Sequence, residues 1–256
     1  MLAGIKVEWL KLRRSRISMI TTVLVGIGVP ALTAGFLAAA TRGPADTPLA
    51  IKVNALLIGE GWPAYLGMLA QILSVMSFLG VGFVVAWCFG REFTDHTITG
   101  LYALPTSRIT IAAAKYVVLL AWSLGLSLIT LAAAFTLAPL AGLPAPPTDA
   151  LEPAAKVLAV GVNGALLAYP LAFIASAARG YLPAVAGLIL IVVITQILTV
   201  LGIGAWVPYA ATSLWAGMGG PAAAATIAPH HLALIPLTAA AGVASTLWWW
   251  RRMQVA

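Results

Sequence analysis

The sequence predicts an all-α, polytopic membrane protein with six transmembrane helices, an amphipathic helix ahead of them and a short re-entrant or interfacial helix before the last. Three observations predict it. Of the 256 residues 62% are hydrophobic and only 8% charged, against about 25% charged in a soluble domain. Six stretches are long and apolar enough to cross a hydrocarbon core about 30 Å thick. The cations gather in the segments between those stretches and not on one basic face, so the net charge of +7 reads as topology rather than nucleic-acid binding.

Met1 to Arg16 carries Lys6, Lys11, Arg13, Arg14 and Arg16 ahead of a long apolar run. This imitates the start of a signal peptide, and Ala38-Ala39-Ala40 imitates a cleavage site. Ile17 to Ala40 is nevertheless too long for a signal-peptide core, so it is expected to persist as the first span. Before it, Leu2, Ile5, Trp9 and Leu12 share a helical stripe, with Lys6, Glu8, Lys11 and Arg14 off the stripe. That pattern suits a helix lying in the interface plane. The alternative is a cytoplasmic extension of the first span held by lipid phosphates.

The remaining spans are expected at Ala64 to Cys88, Ile109 to Ala138, Pro153 to Ala177, Leu182 to Ile203 and Leu232 to Trp250. Thr41 to Pro63 and Pro139 to Glu152 read as outer loops too short for a receptor domain. From Gly204 to His231, Pro208 can start a helix that Gly217, Gly219, Gly220 and Pro221 would stop, while Trp206, Tyr209 and Trp215 suit an interface. A plain apolar loop is the alternative. The whole chain reads as one transmembrane domain.

With the N-terminus inside, eleven of the fourteen Lys and Arg residues fall on the cytoplasmic side, and only Arg42, Lys52 and Lys156 fall outside. Both ends are therefore expected in the cytoplasm. Trp248-Trp249-Trp250 followed by Arg251-Arg252 reads as an aromatic belt at that inner face. Lys115 and Lys156, each about a turn inside a span, are expected to snorkel toward headgroups. Cys88 is the sole cysteine, so no intrachain disulfide can form, and it reads as a small buried thiol.

Several chemistries are excluded by missing residues. No lysine is followed by Ser or Thr, so none belongs to a phosphate-binding P-loop. The spans carry no ionisable group near mid-membrane, where a proton- or sodium-coupled carrier needs one. Gln71, Ser74, Ser77, Asn163, Thr195, Gln196 and Thr199 are polar without titrating near neutral pH. They bond between helices or, for Gln71, Ser74, Ser77, Thr195, Gln196 and Thr199, form a candidate substrate path. His96, His230 and His231 lack metal-ligand spacing, no H-E-x-x-H or G-x-S-x-G pattern occurs, and no catalytic residue or metal site is expected.

The densest polar stretch after the N-terminus runs from Gly90 to Arg108, between the second and third spans. Thr94 or Asp95 can cap a short helix there, Ile98, Leu101 and Tyr102 give it an apolar edge, and Pro105 ends it. Thr106 or Ser107 then caps the next span. Such a helix joins two membrane helices rigidly and is suited to meeting a soluble partner. An ordinary helical hairpin loop is the alternative.

Two motifs carry a family resemblance. Glu8-Trp9-Leu10-Lys11-Leu12-Arg13-Arg14-Ser15 is similar to an E-x-x-K-x-x-R/K-S start. Arg91-Glu92, Thr97 and Leu104-Pro105-Thr106-Ser107-Arg108 before Lys115 are similar to an E-x-x-x-G-T, L-P-x-S/T-R, K segment. In both, the chain resembles the type-2 permeases of ATP-binding-cassette (ABC) transporters, including the small six-helix subunits of lantibiotic-immunity and drug or antibiotic exporters. It departs from the pattern at His96, where Gly is usual before Thr97.

The resemblance implies that the first residues form an interfacial elbow helix and that the Gly90–Arg108 loop contains a coupling helix docking on a separate ATPase. Arg91, Glu92, Thr97, Leu101, Pro105 and Arg108 become the candidate coupling residues. It further implies two permease subunits around a central path, embedded in the lipids of the bacterial inner membrane. ATP and Mg would sit on the ATPase partner, with no cofactor on this chain, and transport would be outward. The apolar walls of the spans with their scattered hydroxyl and amide groups suit an amphipathic cargo such as a peptide antibiotic, drug or lipid-like molecule. The rival classes are an intramembrane lipid-modifying enzyme using Glu92, Asp95 and His96, and a scaffold protein without transport.

Overall fold

The computed structural model describes residues 1–44, 46–102 and 106–253, with Leu101 and Tyr102 described in backbone only. Every regular element among them is helical. Six helices are long and apolar enough to cross a membrane: Arg16–Arg42, Gly61–Thr94, Arg108–Ala141, Thr148–Ala177, Tyr181–Val200 and Pro229–Arg252. They match the expected spans in number and order, and the second and third run several residues further than hydropathy alone indicates. The chain is a multi-pass membrane protein.

An elbow helix, Leu2–Arg13, precedes the first span and breaks from it at Arg14-Ser15. There Ser15 turns extended and its hydroxyl accepts the Ser18 N–H. The expected apolar stripe is divided. Ile5 and Leu12 face the protein with Glu8 between them, whereas Leu2 and Trp9 are exposed. The helix packs its Glu8 edge on the third span, so it is more than a float on the interface.

The first span carries a π-turn, Leu24–Gly28, immediately before Val29-Pro30. Proline offers no N–H to the helical ladder, and the Val25 carbonyl inside this turn also accepts the Thr130 hydroxyl of the third span. Beyond the span, Thr41 to Pro63 is not all loop. Thr47 caps a helix over Pro48–Leu56, accepting the Ala50 N–H at 3.2 Å. The Thr-Pro pair is the N-cap and N1 signal that marks it.

The second span is the centre of the bundle, with 61% of its most apolar stretch buried. The fourth span lies against it through small residues: a Cβ at Gly164 would sit 1.9 Å from Ser77 Oγ, so only glycine fits. The fourth span breaks at Tyr169-Pro170, and Gly242 of the sixth span packs directly on that proline. The fifth span is the least buried, at 11%.

Between the fifth and sixth spans Pro208 opens a helix, Pro208–Trp215, that ends before Gly217, Gly219 and Gly220, all at positive φ. Its Ala210, Ala211 and Thr212 are buried, and Tyr209 meets Phe78 of the second span at 5.2 Å. The helix therefore folds back into the bundle. The Trp triplet is not a uniform belt, because successive helical residues point about 100° apart. Trp250 is fully buried and donates to Ser176 Oγ at 2.9 Å, Trp249 meets Phe173, and only Trp248 is exposed, under the Arg252 guanidinium.

Candidate functional site

The elbow helix, the end of the second span and the start of the third meet in a closed ring of four charges. Lys11 Nζ donates to Glu8 Oε1 and Glu92 Oε1, both at 2.9 Å. Lys115 Nζ donates to Glu8 Oε2 at 2.9 Å and Glu92 Oε1 at 3.1 Å. Its third donor goes to the Cys88 carbonyl at 3.1 Å, which uses all three ammonium protons. The remaining Glu92 oxygen, Oε2, accepts the Thr97 hydroxyl at 2.7 Å. Signs alternate around the ring, so it is neutral as a unit.

Helical spacing explains how the residues arrive. Glu8 and Lys11 are three apart and share one face of the elbow. Glu92 stands in the last turn of the second span, and Lys115 is two turns into the third. Lys115 is fully buried, which corrects the expectation that it snorkels: two carboxylates hold its ammonium inside the protein. Lys156 behaves differently, being half-buried with its ammonium 5.3 Å from the Trp215 ring centroid.

Charges buried this way gain little over apolar packing, but removing one member strands the others and costs about 3–5 kcal/mol. The ring thus resists partial loss and ties three elements into one body. It offers no poised acid or base, since every oxygen and every Lys115 proton is already engaged. Among the described residues no cluster of three or more His, Cys, Asp or Glu could hold a metal ion.

The Thr97 bond continues the ring into the loop. The second span ends in a paired cap: Thr97 N–H reaches the Glu92 carbonyl at 3.0 Å and His96 N–H reaches the Phe93 carbonyl at 3.2 Å. This Schellman arrangement needs its penultimate residue left-handed, and His96 has φ +54°. The histidine therefore keeps the turn that glycine usually makes, at some conformational cost. A short helix, Ile98–Tyr102, follows, with Ile98 buried and Thr99 and Gly100 exposed.

The candidate coupling residues are placed unequally. Glu92 is buried in the ring, and Thr97 is exposed while bonded to it. Arg91 stacks over Trp87 at 4.5 Å and lies 3.7 Å from Asp95. Arg108 donates to the Met253 carbonyl, tying the start of the third span to the end of the sixth, and Ser107 caps the third span. Leu101 belongs to the short helix, and Pro105 lies outside the described residues.

The six candidate path residues fall into two separate groups. Gln71, Ser74 and Ser77 are buried in the second span; Gln71 donates to the Leu56 carbonyl, and Ser77 is closed off by Gly164. Thr195, Gln196 and Thr199 lie on the open fifth span, with Gln196 exposed. The two motifs together contain all five residues, Glu8, Lys11, Glu92, Thr97 and Lys115, but the sequence does not show that Glu8 closes a circuit through the other four. The three-residue spacing of Glu8 and Lys11 was the one visible clue.

The match to known proteins covers this same assembly. None of the curated proteins matches the chain. Residues 4–202 match the family described as ABC-2 family transporter protein, from the elbow helix through the fifth span and including every member of the charge ring. With most of its length matched and six spans in place, the chain belongs to the ABC-2 transporter family.

Proposed function

We propose that the chain is the membrane-spanning permease subunit of an ATP-driven exporter whose ATPase is a separate polypeptide. The observation that carries this is the short helix Ile98–Tyr102, set at the end of the most buried span and tied by Thr97 to a ring that also grips the elbow and the third span. A push on that helix moves three elements together, which is what a soluble motor needs from a membrane partner. The family match supports transport as the class of activity.

On this reading Thr99, Gly100 and Leu101 meet the ATPase, Arg91 flanks the contact, and Glu92 works from within by holding the helix at its angle. Two copies pair through the open fifth span, whose exposed Gln196 and neighbouring Thr195 and Thr199 then face the shared path. The cargo is amphipathic, the orientation has both termini in the cytoplasm, and the membrane is the bacterial inner one.

Purification in mild detergent tests the proposal. A P-loop-bearing chain should accompany the protein, and Leu101→Asp should release it while membrane insertion is unchanged. Vesicles holding the purified chain alone should neither export nor modify an amphipathic cargo; activity without an ATPase would overturn the reading.

A further inference from the structure

Beside the charge ring, on its first-span side, a second group of cations is only partly compensated. A cleft of about 620 Å³ is lined by Lys11, Arg14, Arg16 and Arg91 together with Ser15, Ile17 and Trp87. Lys11 is spent on Glu8 and Glu92. That leaves three guanidiniums against one nearby carboxylate, Asp95, which is 3.7 Å from Arg91 Nε, and that Nε donates no hydrogen bond. Arg14 and Arg16 have no carboxylate within ion-pair distance among the described residues.

The cleft does not end at the cations. Ile17 and Trp87 also form the floor of a second groove of about 550 Å³, which runs up between the first, second and fifth spans. Its walls include Leu24, Met76, Phe83 and Val185, with Thr21 and Tyr181 bringing the hydroxyls among otherwise mainly apolar neighbours. Gly80 keeps the first span tight against the second there, since a Cβ would meet Thr21 and Val25 at 2.9 Å. The groove is therefore a gap beside a close contact and not a general looseness of the bundle. It offers an anion-seeking mouth at headgroup depth and a dry trough leading from it toward mid-membrane.

We propose that this continuous cleft and groove bind one acidic phospholipid from the leaflet in which the elbow lies. Its phosphate sits on Arg14, Arg16 and Arg91, and an acyl chain lies along Leu24, Met76 and Phe83. Charge complementarity selects an anionic headgroup over a zwitterionic one, because three cations converge on a site with a single carboxylate. The bound lipid wedges the elbow hinge at Ser15 to the end of the second span, next to the ring. The proposal is independent of the transport reading, since no nucleotide, cargo or ATPase enters it.

The test is native mass spectrometry of the full chain taken from bilayers of equal parts phosphatidylglycerol and phosphatidylcholine. Each chain should retain one phosphatidylglycerol in preference to phosphatidylcholine. Arg14→Gln and Arg16→Gln should each lower retention about fivefold, the loss of roughly one headgroup-depth cation. Leu24→Trp should block the trough and lower it without removing charge. Arg13→Gln, on the elbow but outside the cleft, should leave it unchanged. Equal thermal unfolding of all variants in phosphatidylcholine alone checks the fold. Equal retention of both lipids, or equal losses from Arg13→Gln and Arg14→Gln, would overturn the site. So would a cross-link between copies at Leu24→Cys, in a Cys88→Ala background, with no lipid retained.

Discussion

The second and fifth spans look alike as sequence, both apolar enough to cross a membrane, and they play opposite parts. The second has 61% of its most apolar stretch buried and the fifth 11%. The difference lies in which apolar residues they use. The second is built from Ala64, Ala70, Gly80, Gly82, Ala86 and Gly90 with Ser74 and Ser77 among them, so neighbouring backbones can approach. The fifth runs through Ile189, Leu190, Ile191, Val192, Val193 and Ile194, branched side chains that hold neighbours off and present a wide apolar face. Hydropathy measures whether a helix enters the membrane; side-chain size decides whether it is packed inside the protein.

That contrast can be broken most forcefully where the second span meets the charge ring. Lys115→Met strands Glu8 and Glu92 against Lys11 alone and should cost about 3–5 kcal/mol in unfolding from detergent. A cost below about 1 kcal/mol would mean that water already reaches the ring. Next is the contact of the second and fourth spans. Gly164→Leu drives a side chain into Ser77 and should cost about 1–3 kcal/mol, read as a lowered unfolding midpoint.

In the fifth span the same kind of probe should do almost nothing. Val193→Ala, on the exposed face, is expected to stay within about 0.5 kcal/mol, yet Val193→Cys in a Cys88→Ala background should cross-link between copies in native membranes. A large stability loss with no cross-link would place that face against the rest of its own chain. The smallest effect has the opposite sign. His96→Gly relieves a left-handed residue at the end of the second span and should stabilise by up to about 1 kcal/mol, with His96→Val destabilising.

Six spans, the helix opened by Pro208, and Ser107 as a cap were legible because each depends on local spacing or on a residue with one strong backbone preference. The helix at Pro48–Leu56 carried its signal in Thr47-Pro48, masked by the surrounding Gly and Pro. Lys115 could not be placed from the sequence. Its partner Glu8 lies 107 positions away, and nothing local distinguishes a lysine that reaches for headgroups from one met by carboxylates of two other helices. Trp250 misled for a related reason, since three adjacent tryptophans share a composition but not a direction.

The first span buries Thr21, Val25, Val29, Thr33 and Leu37, a strict step of four. In an unbroken α-helix each such step overshoots a full turn by about 40°, so the row would wander about 160° around the cylinder from Thr21 to Leu37. The wide turn at Leu24–Gly28 takes back much of that angle, the equivalent of about one residue's 100°, and straightens the row. A one-residue deletion inside Leu24–Gly28 would let the turn close into ordinary α-helix with the outer half still aligned, whereas the same deletion elsewhere in the span would twist that half by about 100° against its neighbours. Outside that turn, the span's length in residues, and not only its oiliness, is part of what this protein has to preserve.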